Sequence, residues 1–168
     1  MDINTGTIQR LRDALVEGGR LAHRDGAGVH DEHAGRTHAA LERFYPFAET
    51  LYLVMMIDEH ADDAELDAIR GAMRILSNGS LSDGMLDDIF QRCAQRASQR
   101  GVENCLQEIG AHLASDRLDR ETAFTLAAAV ALADEQLHGT ESALMRSIAE
   151  WFGVSDKRAA ALLADAQG

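Results

Sequence analysis

The segment TAFTLAAAVALA, Thr122 to Ala133, sets the tightest limit on what this chain can fold into. Its twelve residues carry no charge and are apolar on nearly every side of a helix. Such a helix has to be covered all round. It is also too short to cross a bilayer, which takes about 20 apolar residues. Other helices must therefore enclose it. The rest of the sequence supplies them: 46% of residues are hydrophobic, only 5% are aromatic, and Pro46 is the single proline. Alanine and leucine cores favour close helix packing over sheets, and no stretch alternates like a strand. At 168 residues one domain can bury a sizeable core without disulfides or metal staples. The fold expected is all-α.

Apolar residues recurring every three or four positions mark the helices. Ile8, Leu11 and Leu15 predict one from Thr7 to about His23, with Gly18 and Gly19 weakening its second half. The glycine-bearing stretch RDGAGVHDEHAGRTH that follows reads as a flexible loop, holding His30, His33 and His38. A short helix over Thr37–Phe44 comes next, and Pro46 suits the first turn of another. Later helices are centred on Leu66–Leu76, Met85–Ala97, Val102–Leu113, Thr122–Ala133 and Ser142–Phe152, with a last one after Ser155. Gly153 is placed to stop the penultimate helix and Ser155 to cap the final one. The expected organisation is an N-terminal helix and histidine-containing loop over residues 1–45, packed on or flanking a helical domain over 46–168.

A net charge of −12 and a pI near 4.9 repel phosphate backbones, which argues against nucleic acid. Cations and basic proteins are the better partners. Cys93 and Cys105 share no metal-ligand spacing and read as reduced core residues of a cytoplasmic protein. The polar N-terminus is unlike a signal peptide, and no run can span a membrane.

The acidic stretch IDEHADDAE, Ile57 to Glu65, returns in altered form as ADEQLHGTE, Ala133 to Glu141. A shift of 76 residues lays Asp58 on Asp134, Glu59 on Glu135, Glu65 on Glu141 and Arg70 on Arg146. Apolar positions follow the same shift: Val54 on Val130, Met56 on Leu132, Ile69 on Met145 and Ile75 on Trp151. Each copy is an apolar helix, an acidic turn and an amphipathic helix. Two such units can pack about a pseudo-twofold axis with their turns together.

On these residues the chain resembles the TerB-like domains, named after a tellurite-resistance protein. Ala133-Asp134, Glu141 and Trp151-Phe152-Gly153-Val154 follow the family's pattern, and Asp58, Glu65 and Ile75-Leu76 follow it in the first copy. The likeness covers about Phe47 to Ala166. It departs at Glu59 and Glu135, where the family usually carries glycine. The resemblance implies a compact bundle of about seven helices, a role in resistance to tellurite and other stress, and divalent cations held at the acidic turns. Relatives occur fused to J-domains, but no His-Pro-Asp motif is present here.

The acids also have a physical argument of their own. Asp58, Glu59, Asp134 and Glu135 fall where helices end, and each carboxylate at that negative pole is disfavoured by roughly 0.3–1 kcal/mol. Glu65 and Glu141 fall in the first turn of the next helix and are favoured there. A local rule broken twice at equivalent places calls for a compensating partner. The expected metal ligands are Asp58, Asp62, Glu65, Asp134, His138 and Glu141. Their oxygen-rich chemistry selects Ca²⁺ or Mg²⁺ first, and His138 tilts the second turn toward Zn²⁺ or Mn²⁺. Neither turn is an EF-hand. Solvated, cap-rich turns are the alternative.

No catalytic motif is found. Glu135-Gln136-Leu137-His138 has the Glu-x-x-His step of di-metal carboxylate bundles, but it stands alone. The reading is a non-catalytic module that binds a cation or a protein partner. A carboxylate-bridged di-metal enzyme, or a metal-free adaptor docking a basic partner through its acidic face, are the alternatives.

Overall fold

A computed structural model describes residues 3–19, 32–58, 63–133 and 139–167. Among them the chain forms α1 (Thr5–Glu17), α2 (Glu32–Met55), a 3-10 turn (Met56–Asp58), α3 (Asp63–Leu76), α4 (Asp83–Arg100), α5 (Val102–Leu113), α6 (Arg117–Ala131), α7 (Gly139–Trp151) and α8 (Asp156–Gln167). The all-α class holds. There are eight α-helices among the described residues rather than about seven, because the N-terminal helix takes a full place in the bundle.

The packing is two interlocked copies of one arrangement. α1 lies on α3 as α5 lies on α7, and α2 lies on α4 as α6 lies on α8. α2 meets α3 as α6 meets α7, while α5 crosses to α2 as α1 crosses to α6. The units are therefore α1–α4 and α5–α8. α2 and α6 are each other's main neighbours at the centre. α2 ends at Met55 and α6 at Ala131, α3 begins at Asp63 and α7 at Gly139, so both boundaries repeat after 76 residues. Arg43 and Asp119 are also 76 apart, and they touch. Contact between equivalent positions is what a pseudo-twofold axis passing between two helices produces.

Burial follows the hydrophobic pattern. α6 is buried at every residue from Thr122 to Val130, and α2 at every residue from Phe44 to Met55 except Tyr45. Phe44, Phe47, Leu51, Phe124 and Phe152 are all but fully enclosed, each worth roughly 1.5–3 kcal/mol of burial. Arg43 closes one end of this core. Its guanidinium donates to both Asp119 oxygens at 2.7 and 2.9 Å and lies over the Phe47 ring, 5.2 Å from its centroid. At Gly110 the backbone of α5 runs so close to α7 that a Cβ would sit 2.2 Å from the Trp151 carbonyl oxygen.

Several helix ends differ from the sequence reading. Pro46 lies inside α2 instead of opening a new helix, so residues 32–55 form one element. Its ring removes one helical N–H, a cost of about 3 kcal/mol. Phe44, Phe47 and Leu51, buried on both sides of it, hold the helix continuous, and Thr50 Oγ1 fills the Pro46 carbonyl at 2.8 Å. The second half of the expected histidine loop is thereby helical from Glu32. α1 stops at Glu17, before the two glycines, rather than near His23. α6 begins five residues ahead of the apolar run because the Asp116 side chain accepts the Asp119 N–H at 3.1 Å and caps it. Gly153 does stop α7, with φ +65° and the bonds Gly153 N–H to Glu150 O and Val154 N–H to Ala149 O. Ser155 Oγ accepts the Arg158 N–H at 3.4 Å.

Candidate functional site

Two places qualify, the repeated acidic turns and a cleft between helices. Of the expected ligands, Asp58 closes the 3-10 turn that follows α2, and Glu65 shares the first turn of α3 with Asp63. Glu141 lies on the first turn of α7. Asp62, Asp134 and His138 lie outside the described residues, as do the side chains of Asp58 and Glu141. Glu59 and His30 fall outside them too. Among the described residues no group of three or more His, Cys, Asp or Glu is arranged to hold a metal ion.

What the described flanks give is the electrostatics around the turns. Neither α2, nor the 3-10 turn, nor α6 has a basic residue in its last turn to offset the negative helix end. Asp63 and Glu65 sit at the positive end of α3, where a carboxylate is favoured.

None of the expected metal ligands lines the cleft. It has a volume of about 890 Å³ and lies between α2, α4 and α5. One turn of α2 supplies Tyr45 and Glu49, α4 supplies Arg92 and Arg96, and α5 supplies Glu108 and His112. Glu49 is 1% exposed. Arg96 Nη1 donates to both of its oxygens, at 2.7 and 2.9 Å, and Nη2 donates to Glu108 at 2.6 Å. Arg100 also pairs with Glu108. One guanidinium thus joins three helices.

Burial raises the Glu49 carboxyl from 4.5 to about 6, outweighing the pull of Arg96, with Glu108 adding to the rise. The Tyr45 hydroxyl is pushed up to about 12 by burial, then by Cys93 and Glu49. Cys93, buried behind them, is raised to about 12 by burial and by Glu49. Burial works against the Arg96 charge, but Tyr45 and Glu49 more than restore it, so its pKa is raised. Cys93 and Cys105 are both free and buried.

A signal for this site was present in the sequence. Glu49 is the one charge in the run YPFAETLYLVMMI, and a charge on a buried helix demands a partner. Its partner, 47 residues away on α4, is not readable from spacing.

Compared with known families, residues 47–164 match the model described as tellurite resistance protein TerB. No curated protein and no solved structure gives a significant match. No helix among the described residues is long and apolar enough to cross a membrane.

Proposed function

The chain belongs to the TerB family, and on that premise we propose that it is a non-catalytic helical module holding a divalent cation at its two acidic turns. Asp58, Asp62 and Glu65 of the first turn, with Asp134, His138 and Glu141 of the second, would be the ligands. Carboxylate oxygens in this number suit Ca²⁺ or Mg²⁺ first, while His138 gives Zn²⁺ or Mn²⁺ a second claim. The ion would neutralise carboxylates that stand at the negative ends of α2 and α6. Its binding would serve a response to metal or oxidant stress of the tellurite type.

The observation that carries this reading is the position of the turns. The two central helices both run directly into them, at equivalent places 76 residues apart, with no base in either last turn. Acids retained twice against the local dipole fit a shared cationic partner.

Thermal unfolding of the metal-free protein tests it, titrated separately with Ca²⁺, Mg²⁺, Mn²⁺ and Zn²⁺. An ion at a hundred times its dissociation constant should add about 2.7 kcal/mol of stability. Asp134→Asn should abolish the shift. No shift with any ion would instead favour the adaptor reading, in which the −12 surface docks a basic protein. That reading requires binding that weakens with salt.

A further inference from the structure

The cleft between α2, α4 and α5 has a twin, and the difference between the two is informative. The second unit forms a groove of about 490 Å³ from α6, α8 and α1, the helices equivalent to α2, α4 and α5. Thr125 stands there at the position 76 residues after Glu49. Its hydroxyl donates to the Glu121 carbonyl of its own helix at 2.8 Å, so it is satisfied internally. Nothing charged is sequestered there by α6 at that position. The first unit has a cleft nearly twice as large, and a buried carboxylate in place of the threonine. α2 also continues N-terminally beyond the point equivalent to the start of α6, and Leu41, at that point, and His38, before it, wall the cleft.

Glu49 is incompletely satisfied for so buried a group. A carboxylate offers about four acceptor positions. Both Glu49 oxygens lean on the single nitrogen Arg96 Nη1, and no other donor among the described residues reaches them. The cleft into which it faces has two further acids that do not contact Arg96, Asp88 and Glu42, the latter 3.2 Å from His38 Nε2, against one other arginine, Arg92, and the two histidines His38 and His112. Leu41, Ile89 and Ile109 give it an aliphatic wall. Unfilled acceptors, an excess of acid and an apolar wall together specify a donor that is cationic at its tip and aliphatic along its body.

We propose that this cleft binds a primary ammonium group carried on an aliphatic stem, with Glu49 receiving the ammonium and Leu41, Ile89 and Ile109 covering the stem. Asp88 adds attraction from the α4 side. The same chemistry is offered by a free polyamine and by a lysine side chain of a partner protein. The site is separate from the acidic turns, and it stands whether or not those turns hold an ion.

Calorimetric titration of the full chain in 150 mM salt decides it, with spermidine in one arm and an end-capped Gly-Lys-Gly peptide in the other. That ionic strength suppresses diffuse binding to the acidic surface. A single equivalent bound, weakened at least tenfold by Glu49→Gln and measurably by Asp88→Asn but unchanged by Thr125→Val, supports the site. Spermidine alone binding in this way identifies the free amine as the source. The peptide alone binding so identifies a partner's lysine, and both binding so shows a site open to either. Asp88 is exposed on α4, so Asp88→Asn decides the matter if Glu49→Gln does not fold. Absence of binding in both arms overturns the proposal, as does binding indifferent to Glu49→Gln and Asp88→Asn.

Discussion

Replacing Glu49 with glutamine should change how stability depends on pH, in a direction fixed by the site. The folded-state carboxyl is raised from 4.5 to about 6, mainly by burial. A raised folded pKa means the contribution of Glu49 is fully present below pH 4.5 and is lost as pH rises through 6. A shift of that size corresponds to about 2 kcal/mol, at 1.36 kcal/mol per unit. The side chain is only 2% exposed, so solvent screening takes little from this figure. Glutamine keeps the shape and one acceptor but cannot ionise. Urea unfolding of both proteins between pH 4 and pH 8 provides the measurement. Taking the difference cancels every other titrating group. The variant should gain about 2 kcal/mol relative to the parent between pH 4 and pH 8, most of it between 5 and 6.5. A flat difference would refute the burial argument. A difference of opposite sign would show that Arg96 holds the carboxylate below its ordinary value, and that pairing outweighs burial.

Further consequences concern packing and reactivity. Gly110→Ala should cost more than about 3 kcal/mol, a core overpacking penalty at its upper end, because its Cβ meets the Trp151 backbone at 2.2 Å rather than a yielding side chain; denaturant unfolding measures it. Leu51→Ala, at a fully enclosed position of α2, should lose about 2–5 kcal/mol by the same assay. Cys93, with its thiol near 12 and no exposed surface, should resist a disulfide reagent at pH 8 in the native protein and react at once in urea.

The helices were legible because Ile, Leu and Met recur at helical spacing on faces that the bundle buries, as at Ile69, Met73 and Leu76. Stop and cap signals worked where a local geometry demanded them, as at Gly153 and Ser155. Pro46 misled because tertiary burial outweighed a local preference that sequence alone expresses. The 76-residue relation was readable at α2–α3 and α6–α7, where the connections have equal length. The equivalence of α1 and α5 was hidden, since fourteen residues separate α1 from α2 and only three separate α5 from α6. The acidic turns stood out as clusters in the chain. The cleft did not, because Glu49, Arg96 and Glu108 come from three helices and share no spacing. Only the isolated charge of Glu49 within an apolar run marked it.

Equilibrium dialysis of the purified chain against ⁴⁵Ca²⁺ tests the role assigned to the paired turns most directly, with Asp58→Asn, Asp134→Asn and the double variant alongside. One ion per chain is expected, lost on either single substitution and equally lost in the double variant. An ion count of zero for the parent with every divalent cation tried, or one untouched by both substitutions, would contradict a cation held jointly by the two acidic turns.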